Sequence, residues 1–163
     1  MLEIVTLFVQ AASLAMVAGW LTLGVRDNLI HPELNEPITA QVLSMDRMRA
    51  EYPEDYARVA HRAITDPGTQ KLAFRAAVTV ELIAAGILWL GVAALVLAVV
   101  GAVGIDTARA VGLLGAALFT SVWAGFLVIG NHYCYWFGHT IAQNTHFLMT
   151  LWGIGVMLLL LAG

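Results

Sequence analysis

The residues best suited to chemistry are three histidines spaced seven apart, His132, His139 and His146, and one carboxylate, Glu81, inside an apolar run. Neutral imidazole binds transition metals and haem iron, and it can hydrogen-bond a quinone carbonyl. On one continuous helix the three histidines would share a face, but each step of seven residues rises about 10.5 Å. That is too far for a single ion, whose ligand nitrogens sit about 2 Å away. A chain reversal near Gly138 to Thr140 changes the geometry. It brings His132 and His146 to similar depth on adjacent helices, with His139 at the tip. The expected metal set is then His132, His139 and His146.

Glu81 lies about nine residues into the second apolar run, roughly 12–14 Å from its start at 1.5 Å per residue. A carboxylate inside a span is costly and usually faces the bundle interior. Glu81, His132 and His146 therefore form the expected cofactor set, for haem, a transition metal or a quinone. The plainer readings weigh more on the residues alone: His132 and His146 as hydrogen-bonding glue between helices, and Glu81 as a structural anchor. Tyr133, Tyr135, Trp136 and Phe137 suit an interfacial aromatic belt. Cys134 is the single cysteine, so neither a disulfide framework nor a cysteine-cluster metal site is available. The chain contains no G-x-x-x-x-G-K-[ST], H-E-x-x-H or G-x-S-x-G, so nucleotide, zinc-protease and serine-hydrolase readings lack support.

The elements that must position these residues follow from composition. Apolar residues make up 60% and charged residues 12% of 163, and a soluble domain this small could not hide so much apolar surface. Four runs are long enough to cross a bilayer core, which needs roughly 20 apolar residues. They cover about residues 4–25, 72–103, 108–130 and 141–162. The expected fold is an all-α membrane protein with four transmembrane helices. The first run lacks a basic leader and a clear cleavage site, and it reads as a retained helix. Gly112, Gly115 and Ala116 favour close helix contact in the third run.

Most charged residues fall in the insert, residues 26–71. Ile38, Val42, Met45 and Met48 recur at helical spacing, as do Tyr56, Val59, Ala60, Ala63 and Ile64. Two short amphipathic helices are expected, the second starting at Pro53. Asp66-Pro67 reads as a cap and first turn leading into the second span. Four spans put both termini and the turn at Asp106 to Arg109 on one side, with the insert and the histidine hairpin on the other. The net charge of −3, with no basic face, argues against nucleic acid as a partner.

The segments Asp27-Asn28, Val42-Leu43-Ser44-Met45-Asp46, Arg62-Ala63-Ile64-Thr65-Asp66-Pro67, Ala73-Phe74-Arg75 and Glu81 resemble a family of predicted small bacterial integral membrane proteins, domain of unknown function 2165. The resemblance resumes at Trp123-Ala124-Gly125-Phe126 and Trp136-Phe137. It implies a four-span protein with a polar region after the first span, and it brings no activity with it. A basic connection between spans two and three, frequent in the family and kept here only as Arg109, implies a cytoplasmic turn there and a periplasmic insert, whereas counting Lys and Arg in the loops of this chain points to a cytoplasmic insert. The chain departs from the family after the third span. A Gly-Gly-Glu-Trp-Phe-like run is replaced by Gly130-Asn131-His132-Tyr133-Cys134-Tyr135-Trp136-Phe137.

The leading functional expectation is a non-catalytic accessory or structural subunit of a larger membrane complex, respiratory or redox, in the bacterial inner membrane. The alternative is a redox, metal-, haem- or quinone-binding membrane protein built on the His/Glu cluster. A small transporter is disfavoured, because one clear intramembrane charge is too few to line a path.

Overall fold

A computed structural model of the chain describes residues 1–162. Seven α-helices carry the fold, with no strand among the described residues. Helix α1 is Leu2–Ile30, and three short helices follow: α2, Glu36–Ser44; α3, Asp46–Glu51; and α4, Pro53–Val59. Then come α5, Pro67–Val99; α6, Ile105–His132; and α7, Thr140–Leu161. Helices α1, α5, α6 and α7 are each long and apolar enough to cross a membrane. The chain is an all-α, multi-pass integral membrane protein.

The spanning helices pack because one stripe of each is small or branched and the other face is left to lipid. Leu7, Leu14, Val17 and Leu21 of α1 are buried against Ala84, Leu88 and Leu95 of α5 and against Ala116 and Phe119 of α6. Phe8, Met16, Leu90, Val128 and Leu158 point outward, which acyl chains tolerate and water would not. Glycine sets the closest approach. A Cβ on Gly91 would come within 2.7 Å of the Gly112 Cα, and one on Gly115 within 3.0 Å of the Leu88 backbone. Helices α5 and α6 therefore meet backbone to backbone, the mode that small residues permit in lipid.

Polar groups inside the bundle tie helix ends together. Gln10, fully buried, donates through Nε2 to the Leu159 carbonyl at 3.0 Å, and its Oε1 accepts from Arg109 Nε at 3.2 Å. Leu159 lies in the last turn of α7, where carbonyls have no helical partner. One glutamine thus satisfies an orphan acceptor and anchors α1, α6 and α7.

Helix boundaries differ from the sequence expectation where local backbone chemistry intervenes. The second span begins at Pro67, because the Asp66 carboxylate caps it by accepting from Thr69 N at 2.7 Å and Thr69 Oγ1 at 2.8 Å. It stops at Val99, short of residue 103, and Gly101 turns the chain with φ of 74°. The insert holds three short helices in place of two. Met45 adopts a left-handed conformation, φ 55°, which breaks the Ile38 to Met48 pattern into α2 and α3. The second expected helix does begin at Pro53.

Candidate functional site

The insert folds over one end of the bundle as a cap. Met45, Met48 and Cys134 form a small buried cluster, with Tyr56, Val59, Ala63, Tyr133 and Phe137 packed against it. Two arginines latch the cap onto the connection between α6 and α7. Arg62 Nη1 donates to the His132 carbonyl at 3.3 Å, and Arg47 Nη1 donates to the Gly138 carbonyl. A cation at the carbonyl end of α6 is favoured by the helix dipole. Cys134 is buried beneath this latch with Arg62 Nη1 4.0 Å from its sulfur.

The reversal between α6 and α7 occurs earlier than expected, and this relocates the histidines. Helix α6 continues to His132, Cys134 turns with φ of 53°, and a 3-10 turn, Tyr135–Phe137, completes the corner. The hairpin is therefore centred near Cys134 rather than near His139. Residues that face one another shift accordingly. Trp123, not His132, packs on His146, with ring centroids 5.5 Å apart. His132 is exposed at the corner, with its ring edge-on to Tyr133 at 5.0 Å. His139 sits in the corner beside Arg47. The described residues contain no group of three or more His, Cys, Asp or Glu able to hold a metal ion. The expected set His132, His139 and His146 is not brought together, and neither is Glu81 with His132 and His146 as a metal site.

Glu81 has its own environment. It is buried, and its carboxylate accepts from Asn28 Nδ2 at 3.2 Å, while Asn28 Oδ1 accepts from Asn35 Nδ2 at 2.7 Å. Asn28 is near the C-terminal end of α1, so Glu81 lies where the apolar bundle meets the cap. The depth expected from counting along α5 fails because α5 starts earlier and its first turns belong to the cap, beside α2.

His146 instead belongs to an aromatic cluster. Its ring lies 5.5 Å from Trp123, 5.2 Å from Phe126 and 6.0 Å from Tyr135, stacked on the last at 17°. Tyr135 is buried, not part of an exposed belt, because Gly130 leaves a notch for its ring. A Cβ on Gly130 would stand 2.9 Å from three Tyr135 ring carbons. Burial raises the Tyr135 phenol pKa above its ordinary value. Trp136 keeps the exposed position expected of a belt residue. Four buried side-chain atoms lack a hydrogen-bond partner among the described residues: Trp123 Nε1, Tyr135 Oη, His139 Nε2 and His146 Nδ1. Three of the four are in this one cluster. Sequence reading singled out His146 as a site residue, whereas Trp123, Phe126 and Gly130 entered only through the family resemblance, and their place beside His146 depends on the register of the hairpin.

His139 is half-buried, and its pKa is held below the usual imidazole value. Burial is the main cause, the Arg47 guanidinium adds to it, and Glu51 pulls the other way.

No curated protein and no solved structure matches the chain. A family model described as predicted small integral membrane protein (DUF2165) matches residues 6–162. That match spans the four membrane helices and the cap alike, and the chain belongs to this family of small integral membrane proteins.

Proposed function

We propose that the protein is an accessory subunit that packs beside a larger membrane protein of a respiratory or other redox assembly in the bacterial inner membrane. The observation that carries this reading is the seam between α1 and α7. Helix α7 buries 17% of its most apolar window, against 33–39% for the other three spans. Beyond the Gln10 anchor, α1 and α7 separate to leave a groove of about 240 Å³, lined by Ser13, Met16, Trp152, Gly155, Val156 and Leu159. A groove with glycine on one wall and a serine hydroxyl on the other suits a further transmembrane helix, since small and hydroxyl residues let helices approach in lipid. Lipid contact accounts for the remaining apolar surface.

The cap is assigned to the periplasmic side on the family resemblance, with the α5–α6 turn cytoplasmic. A cysteine at exposed Thr65 tests this assignment, because an impermeant maleimide would label it in intact spheroplasts.

Cross-linking tests the subunit reading. Gly155→Cys has open space for its side chain and faces the groove. In native membranes it should give a discrete adduct with one larger membrane protein. Recovery of uncross-linked chain alone, or of adducts spread over unrelated proteins, would count against the reading.

A further inference from the structure

The cluster around His146 is independent of the groove, and its chemistry points to a ligand. Trp123 and Tyr135 are 8% and 4% exposed, and each buries a polar atom with no partner. His146 Nδ1 is the third such atom. Buried donors and acceptors are nearly always paired, so the Trp123 and His146 orphans call for a group that supplies their bonds, and the unbonded Tyr135 hydroxyl marks an occupant that does not. Trp123 offers only a donor, Tyr135 either role, and His146 Nδ1 either role according to tautomer.

Shape narrows the class of ligand. The Tyr135 ring lies against the Gly130 backbone with no room for a Cβ between them, and its other neighbour is the His146 ring, on which it stacks. Its occupant, Tyr135, is delivered by Cys134 in a left-handed conformation that non-glycine residues adopt at a cost. The tyrosine fills the notch yet leaves its own hydroxyl unbonded. It is a poor fit polar-wise and a good fit ring-wise.

We propose that this notch is a binding site for a quinone-type headgroup, with Tyr135 as a displaceable plug. A quinone ring matches the notch and the stacking on His146. Its carbonyl oxygens accept from Trp123 Nε1–H and from His146 in its Nδ1–H tautomer. No acidic or basic side chain other than the imidazole belongs to the cluster, which favours a neutral headgroup over a phosphate or a carboxylate. Access is from the bilayer, since His146 is itself only part-buried and lies on the spanning helix α7. Only binding is claimed for the site.

The test is calorimetric titration of the detergent-solubilised full chain with decylubiquinone. Tyr135→Ala should bind at least ten-fold more tightly than the unsubstituted chain, and adding His146→Leu to it should abolish the saturable signal. Tyr135→Phe keeps the ring and removes the unbonded hydroxyl, so it should bind several-fold more weakly than the unsubstituted chain. If Tyr135→Ala fails to fold by circular dichroism, the Tyr135→Phe comparison decides alone. Equal affinity for Tyr135→Phe and the unsubstituted chain overturns the proposal. So does a signal that survives His146→Leu, which is partition into the micelle only. A high-resolution structure with ordered water on all three orphan atoms after quinone soaking overturns it too.

Discussion

The Asn28 side-chain amide donates to the buried Glu81 carboxylate at 3.2 Å, joining the end of α1 to α5 where the membrane bundle meets the polar cap. The same amide accepts from Asn35, so a chain of three side chains runs from the surface to a buried acid. The Glu81 carboxylate is thus hydrogen-bonded by a neutral amide and takes part in no ion pair among the described residues.

Removing the acid should expose that dependence. Glu81→Ala leaves the half-buried Asn28 amide without its partner, and because solvent reaches that side chain the cost should lie near the low end of the usual range, about 1 kcal/mol. Glu81→Gln keeps an acceptor of the same shape and should cost less than Glu81→Ala. Reversible unfolding in mixed micelles, followed by circular dichroism, measures both. Equal losses would show that the Asn28 bond does not matter.

The glycine contacts predict opposite outcomes for substitutions on one helix. Gly91→Ala drives a methyl into the Gly112 backbone and should destabilise by about 1–3 kcal/mol, the usual cost of overpacking. Gly86→Ala meets nothing within 4 Å and should stabilise α5 by about 0.5–1 kcal/mol through helix propensity. The same unfolding assay distinguishes them.

Arg47 should govern the mobility of the corner. Its guanidinium holds the Gly138 carbonyl, and it also pairs with Glu51 at 3.4 Å on the exposed side of α3. Arg47→Ala should speed amide hydrogen exchange across residues 133–139 several-fold and leave the middle of α5 unchanged. Uniform acceleration through the bundle would mean the latch stabilises the whole fold instead.

Acid should loosen the same corner through His139. Its folded pKa lies below the ordinary value of 6.5, so the opened chain binds the proton more readily than the closed one. The stability it contributes is present above about pH 6.5 and is lost as pH falls below that value. The charged groups that act on it, Arg47 and Glu51, are both on α3. Protection at residues 133–139, taken relative to the intrinsic exchange rate at each pH, should fall on acidification from pH 7 to pH 5, and His139→Gln should flatten that fall.

Some of this was legible one residue at a time. Asp66-Pro67 announced a helix start because a carboxylate that accepts from the third residue onward is a local device. Gly112 and Gly115 announced close packing because nothing but a small residue fits there. Met45 gave no warning, since it continues an apolar helical pattern, yet in the cap it is buried with a left-handed backbone. The histidine pairing failed for a related reason. Spacing along the chain fixes which residues share a helix face, but the pairing across a hairpin depends on where the corner falls. A shift of the corner from His139 toward Cys134 exchanges His132 for Trp123 as the neighbour of His146.

The sequence alone determined the solvent and the number of crossings, because the transfer of long apolar runs into lipid is additive along the chain and needs no partner. Tertiary structure alone decided which polar atoms meet, Gln10 with the Leu159 carbonyl and Asn28 with Glu81. Those contacts join residues far apart in sequence, and they depend on angles and register that no local preference encodes.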